Sequence, residues 1–471
     1  MTSRKLEPPA GDAARPLRHS RRSLLAAGAA ISAAALACAP GQSGTEGGSA
    51  PPAAGKVIEL RAHARANSEK DGYQKNIDAF NQQYAGKYKA VYEGLAGSPD
   101  YYGPLETNIA GGTLGDVIYA HTSNLKFQEY AVKGVTIALD QYAAKDKNFK
   151  LDAWPAKAQE AMKVVDNKLF GVPTRGQVSW LFLYWNKELL KRAGVPEPTP
   201  DWTYETFLNN ARRLMGQGSG SDSFPVAHAQ GSGYENVVAN LRRFGGDFFQ
   251  EQAGAGKKSM LDSQQAVQTF RWYYENIKSG LFGPRTGFDA VAFGQGKAGF
   301  YFGRLAGERG TVANNAKGAF EWTFNAVPKG PTGRRGGFLS VDMSSVTSNT
   351  KDKDGAWELL KWVTSRDSGV NLALQPEGSL TPGFRKDVYC DDRLLADPRF
   401  PKDAMKANCD NLDQPDSYVY PANFRLAGPG GIQEILDKYV NPIFDLQQEP
   451  TPAYLKELNT EVQRVLDMPR L

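Results

Sequence analysis

From Val57 onward the apolar positions follow two rhythms. Val57–Ala62 alternates apolar and polar residues at period two, which predicts a strand. Tyr73–Tyr84 sets Ile77, Phe80 and Tyr84 at helical spacing and predicts an amphipathic helix. Tyr88–Tyr92 then reads as a strand, Tyr101–Ala110 as a helix ended by Gly111 and Gly112, Asp116–Tyr119 as a third strand, and Leu125–Lys133 as a helix stopped by Gly134. This alternation over the first 135 residues predicts an α/β sheet with parallel strands.

The pattern then changes. Gly171–Thr174 predicts an extended turn, and Ser179–Trp185 (SWLFLYW) is the most apolar run after the leader. It is short and aromatic, so it predicts a strand buried on both faces. Lys187–Ala193 is a short helix, and the proline-rich Val195–Pro200 cannot be helical, marking an approach to a second lobe. Thr203 predicts a cap on a helix running to Met215, with Glu205 in its first turn. Helices follow at Tyr234–Phe244, Gln264–Lys278 and Phe288–Phe293, then strands at Ala298–Phe302 and Ser340–Thr347. Asp354–Thr364 is an amphipathic helix with Trp357, Leu360 and Trp362 on its apolar side; Gln433–Phe444 and Ala453–Leu466 close the chain as helices.

The N-terminus follows a different rule. Arg21-Arg22 precedes an apolar stretch, Leu24–Ala37, in the manner of a twin-arginine export signal. That stretch is shorter than the roughly 20 residues a membrane-spanning helix needs. It ends in Ala35-Leu36-Ala37-Cys38, which resembles the processing site of a bacterial lipoprotein with Cys38 as the lipid acceptor, although Ala35 stands where the usual lipobox has Leu. Ala39–Gly55 contains almost nothing bulky and apolar, and predicts a tether.

Charge supports this division. The chain has 56 Lys+Arg and 51 Asp+Glu, but six of the basic and two of the acidic residues lie in residues 1–37. The remainder is nearly neutral, so there is no nucleic-acid footprint. About 415 residues follow the tether, more than one core usually supports, which predicts two lobes. Cys390 and Cys409 are an even pair in an exported chain and predict a disulfide. A metal site lacks partners, because the histidines past the leader, His63, His121 and His228, are far from both cysteines in sequence.

Most catalytic motifs fail on inspection. Gly294–Gly299 fits GxGxxG, but a helix precedes it and a strand follows, the reverse of a dinucleotide-binding turn. No GxSxG, HExxH or CxxC occurs. Asp289, Asp342 and Glu235 could supply a glycosidase pair, though chance explains any such pair among 51 acids. Polar and aromatic residues remain at predicted strand ends: Ala64–Asn67, His121–Asn124 and Gly303–Arg304, with Ser98–Tyr102 opening the next helix. Rings stack on sugar C–H faces while amides, carboxylates and Arg form paired hydrogen bonds, so such a set suits a polyol. The competing reading of Tyr101, Tyr102 and Tyr234 is core packing, and that of Arg175 and Gln177 is helix capping.

Several segments, in unbroken order from about residue 57 to 380, resemble the maltose-binding-like family 1 of extracellular solute-binding proteins of bacterial ABC importers. They are Gly115–Tyr119, Gly134–Asp140, Leu169–Pro173, Tyr184–Leu189, Ala193–Pro196, Asp201–Thr203, Phe293–Gly299 and Gly355–Lys361. The resemblance implies an α/β, two-lobed periplasmic-binding-protein-like fold (type II), with the ligand cleft between lobes joined by hinge segments. It implies a signal over residues 1–38, a tether over 39–55, lobe one over 56–173, mainly lobe two with a hinge crossing over 174–345, and a C-terminal helical region over 346–471 returning between the lobes. It implies a non-catalytic, monomeric lipoprotein without cofactor or metal, held at the outer face of the membrane and delivering a small solute, a carbohydrate, to permease subunits. Carried over by position, lobe-one contacts are Asn67, Tyr101, Tyr102, His121, Thr122, Arg175 and Gln177; lobe-two contacts are Tyr234, Tyr301, Arg304, Gly337, Phe338 and Arg385. The arginines leave an acidic sugar open. An exported carbohydrate hydrolase, or the same fold binding a peptide or osmolyte, stands as the alternative.

Overall fold

The computed structural model describes residues 56–468, except 67–68, 97–100, 123–124, 164, 178–181, 219, 221, 229–230, 251–256, 288, 304–307, 376–382, 413–425 and 427–429. All the described residues lie within one compact unit, Ala54–Leu471. The leader, Cys38 and the whole tether lie outside the described residues, as do Asn67 and Arg304.

Among the described residues nine strands form two sheets: β1 (Ile58–Ala66), β2 (Tyr88–Ala96), β3 (Val117–His121), β4 (Val172–Gln177), β5 (Phe182–Asn186), β6 (Val226–His228), β7 (Phe300–Gly303), β8 (Trp322–Ala326) and β9 (Ser340–Val346). The first sheet runs β2-β1-β3-β9-β4 and the second β6-β7-β5-β8. In the first, β1 is parallel to β2 and β3, while β9 is antiparallel to β3 and to β4. The expected parallel order therefore holds for the N-terminal strands and is broken by one late strand inserted between β3 and β4. In the second sheet β5 runs antiparallel to both its neighbours, and only the β6–β7 pair is parallel.

This insertion positions the site. Because β9 runs against the others, its amino end lies beside the carboxyl ends of β1, β3 and β4. The chain passes from the first sheet to the second between β4 and β5, and returns between β8 and β9. A third connection follows the helices Lys353–Val363 and Arg366–Ala373, which pack on the first-sheet side; the helix Lys402–Asp410 then packs on β8. Cys390 and Cys409 are joined by a disulfide within this connection.

Phe182–Trp185 of the SWLFLYW run lie in β5, residues 179–181 lie outside the described residues, and the alternation of β5 divides the interior. Phe182 and Tyr184 join the core that includes Leu60, Phe80, Ile118, Met343 and Leu360. Leu183 and Trp185 join a second core with Phe207, Val238, Phe302, Ile443 and Leu458. Burying a large apolar side chain contributes roughly 1.5–3 kcal/mol, which rewards an uninterrupted apolar strand between two layers. Gly171–Thr174, read as a turn, mostly enters β4, whose pairing with β9 shifts register between Pro173 and Arg175. Thr203 caps its helix as expected, its hydroxyl accepting the Thr206 N–H at 3.2 Å.

Candidate functional site: a charged cluster at the carboxyl edge of the first sheet

Asp342, near the start of β9, pairs in register with His121 at the end of β3 and with Arg175 near the end of β4. Backbone topology alone thus brings a carboxylate, an imidazole and a guanidinium together. Arg175 Nε donates to Asp342 Oδ2 at 2.6 Å, and its NH1 donates to Glu69 Oε1. Arg65, from β1, donates to Glu69 Oε2 at 3.3 Å, and its guanidinium lies over the Tyr119 ring 5.2 Å from the centroid. Tyr119 donates its hydroxyl to Asp342 Oδ2. His121 Nδ1 lies 3.1 Å from Asp342 Oδ1.

The surroundings hold this set in place. Thr122 Oγ1 donates to the Val341 carbonyl at 2.8 Å, and its N–H donates to the same oxygen at 2.9 Å, fixing β3 against β9. Tyr102 accepts the His121 N–H at 2.9 Å, and Tyr101 donates to the Tyr119 carbonyl at 2.9 Å. The rings of Tyr101, Tyr102, Tyr119 and His121 meet edge to face. Asp342 and Glu69 are sealed, with 7% and 4% of their side chains exposed, whereas Arg175 and His121 keep 15% and 21% open.

The electrostatics follow from this packing. Burial opposes ionisation of Asp342, but His121, Arg175 and Arg65 beside it, with the Tyr119 hydroxyl, outweigh it and hold the carboxyl down to about 2. Burial also lowers the His121 imidazole below its ordinary value, and Arg65 adds to this against the pull of Asp342. Burial and then Arg65 lower Arg175 to about 10, still protonated at neutral pH. The cluster therefore holds two cations and two anions around a neutral imidazole.

Of the residues expected from the sequence, Tyr101, Tyr102, His121, Thr122 and Arg175 come together here. Gln177 pairs with Ser340 through the backbone of β4. In the second half, Tyr234 begins the helix Tyr234–Arg243 and packs against Phe248 and Phe338. Tyr301 lies between Tyr184 and Phe293. Tyr101, Tyr234, Tyr301 and Phe338 are at most 1% exposed, so in this conformation their rings offer no open face to a ligand. Gly337 is buried beside Phe338. Arg385 does not join the second sheet. Its guanidinium lies over Trp154, 4.8 Å from the ring centroid, and is held by Asp387 at 2.7 and 2.9 Å. There it helps line a groove of about 330 Å³ with Phe149, Lys361 and Trp362.

Sequence reasoning did not single out Glu69, and it weighed Asp342 only as a glycosidase carboxylate. Both are ordinary carboxylates in a chain with 51 of them. The usable signal was the strand end at Arg65, because a buried guanidinium there requires an acid nearby.

Two sheets, a strand β5 whose alternate side chains enter two cores, a chain that crosses between the sheets, and a polar cluster at a strand-end edge define the architecture of a two-lobed binding protein. The chain belongs to the bacterial extracellular solute-binding protein family, whose model matches residues 66–370. A binding protein of Brucella abortus is 25% identical over 307 residues, 62% of this chain and 69% of its own. A Sinorhizobium fredii protein named as an amino-acid ABC transporter periplasmic-binding protein is 27% identical over 190 residues, 40% of this chain and 41% of its own. Among solved structures, an ABC substrate-binding protein of Listeria monocytogenes in complex with cycloalternan superposes with a TM-score of 0.67 at 17% identity, covering 88% of this chain and 100% of that one. The sugar-binding protein MalE of Xanthomonas citri gives 0.69 at 16% identity, covering 87% and 97%. At those identities the likeness establishes the two-lobed fold.

Proposed function

We propose that this protein is the non-catalytic solute-binding component of an ABC importer, capturing a sugar or oligosaccharide between its lobes and delivering it to a membrane permease. The observation that carries this reading is the cluster around Asp342, whose partly exposed members, Arg175 and His121, are held by a sealed, charge-balanced base. Such a wall offers oriented donors and acceptors, which suits a polyol. The sugar-binding proteins that share the fold support the same class of ligand. The crossing between β8 and β9 serves as a hinge segment, so that a ligand bridging both lobes favours the closed form. On this reading the protein is a monomer exported by its leader, lipidated on Cys38 at the outer face of the membrane and tethered by residues 39–55.

A hydrolase reading fits less well. A general acid for glycoside cleavage needs a raised pKa, and Asp342 is held near 2. A thermal-shift screen of residues 39–471 against sugars, oligosaccharides, uronates, amino acids and betaines tests the proposal. A carbohydrate at 100 times its Kd should stabilise the protein by about 2.7 kcal/mol. Hydrolysis of a sugar in the same mixture, or stabilisation by amino acids or betaines alone, would overturn it.

A further inference from the structure

We infer that the wall built on Asp342 selects an uncharged, hydroxyl-bearing ligand and discriminates against a carboxylated or phosphorylated one, with Asp342 as the specificity-determining residue. This deepens the carbohydrate reading of the site and rests on it.

Both guanidinium groups of the cluster are already committed. Arg175 has Nε on Asp342 and NH1 on Glu69, and Arg65 donates to the other oxygen of Glu69. Neither carboxylate is a mobile surface group that an incoming anion could displace, since both are almost completely sealed within the wall. An anionic ligand approaching Arg175 would meet a cluster whose two guanidinium charges are already balanced by two fixed acids. It would be desolvated beside those acids, where like charges repel strongly. A neutral hydroxyl meets no such penalty, and the N–H groups of Arg175 left over from its two acids can still donate to it.

His121 adds a second filter. Its Nδ1 faces Asp342 Oδ1 at 3.1 Å, so the ring proton sits on Nδ1 and Nε2 carries a lone pair. No hydrogen bond from the described residues reaches that nitrogen. It can accept from a ligand O–H, and it repels the oxygen of a carboxylate or phosphate, which has no proton to give at neutral pH. A vicinal diol can satisfy donor and acceptor together, one hydroxyl accepting from Arg175 and another donating to His121. The arginines that kept an acidic sugar open in the sequence are accounted for where they are described: Arg175 is neutralised by its two acids, and Arg385 is tied to Asp387 and stacked on Trp154.

Titration calorimetry on residues 39–471 with matched probes tests this: glucose with glucuronate and glucose 6-phosphate, galactose with galacturonate, and maltotriose with its C6-oxidised form. In each pair that binds, the neutral member should bind at least 100-fold more tightly. Asp342→Asn, which leaves the cluster with a surplus positive charge, should weaken the neutral sugar about tenfold and shift the ratio towards the acid by tenfold or more. Circular dichroism checks its fold, and Glu69→Gln makes the same charge change from behind Arg175. If neither variant folds, the wild-type ratio decides. An acid that binds the wild type as tightly as its neutral partner would overturn the inference while leaving the carbohydrate reading intact. Absence of binding by every neutral and acidic sugar would overturn both.

Discussion

At the residue scale, removing Asp342 strands Arg175 and Arg65 beside a single acid, Glu69. Truncating one side of a buried ion pair costs about 3–5 kcal/mol, mostly through the charge left behind. Asp342→Ala should therefore lose about 3 kcal/mol in urea denaturation, and Asp342→Leu combined with Arg175→Met should recover a large part of it. Acid should expose a different set of residues. His228 is fully buried, its Nε2 donating to the Gly283 carbonyl at 2.9 Å, and burial, reinforced by Arg285, lowers it to about 4. His63 accepts the Gly115 N–H on Nε2 at 2.8 Å and faces Glu93 with Nδ1; burial lowers its pKa, and Arg61 adds to this. Both rings bind protons less readily folded than unfolded. Their stabilisation is complete above the unfolded value of about 6.5 and is lost as pH falls towards 4, with His228 alone contributing about 3 kcal/mol. Denaturation midpoints measured from pH 7 to 4 should fall, and His228→Asn should flatten that fall. His121 and Arg175 were legible as site residues because they stand beside predicted strands. Asp342 was not, because what makes it special is a partner 167 residues away, on a strand whose direction the local pattern does not encode.

At the element scale, the long helices were legible because their apolar stripes are regular and capped: Gln264–Lys278 lies at the predicted boundaries, with Ser263 accepting from the Ala266 N–H. β4 was not, because Pro173 and Gly176 look like turn residues. Both tolerate the strand for steric reasons: β4 is an edge, and a Cβ at position 176 would come within 2.9 Å of the Ser340 carbonyl and 3.1 Å of the Phe384 ring. Gly176→Val should therefore disturb both the β4–β9 register and the cluster that depends on it, weakening ligand binding and stability together. The short helices Lys386–Tyr389, Asp392–Leu395 and Lys402–Asp410 carry too few turns to show a period. The Cys390–Cys409 bond, 19 residues apart in sequence, holds the first of them near the last. Closing a loop of that size contributes on the order of 3 kcal/mol in the chain-entropy model. Reduction should lower the denaturation midpoint accordingly, and Cys390→Ser with Cys409→Ser should reproduce the loss in the absence of reductant.

At the scale of the whole molecule, two lobes were legible from chain length, but the mixed sheets were not, and the chain has entered the second sheet at β5, ahead of the proline-rich stretch at 195–200. The alternation of the first 135 residues describes only β1 to β3. The antiparallel strand β9 returns from the second sheet and completes both the first sheet and the site. A ligand held by Arg175 and His121 must also meet the other lobe for closure to be favoured. Tyr234, Tyr301 and Phe338 are buried here, so the contacts from that side come from other groups or from a repacked surface. Small-angle X-ray scattering of residues 39–471, with and without a carbohydrate that stabilises them in the thermal screen, tests the central claim most directly. Capture by lobe closure predicts a smaller radius of gyration at saturating sugar, reversed on dialysis and absent in Arg175→Ala at the same concentration. A scattering curve unchanged by a sugar that binds the wild type would contradict it.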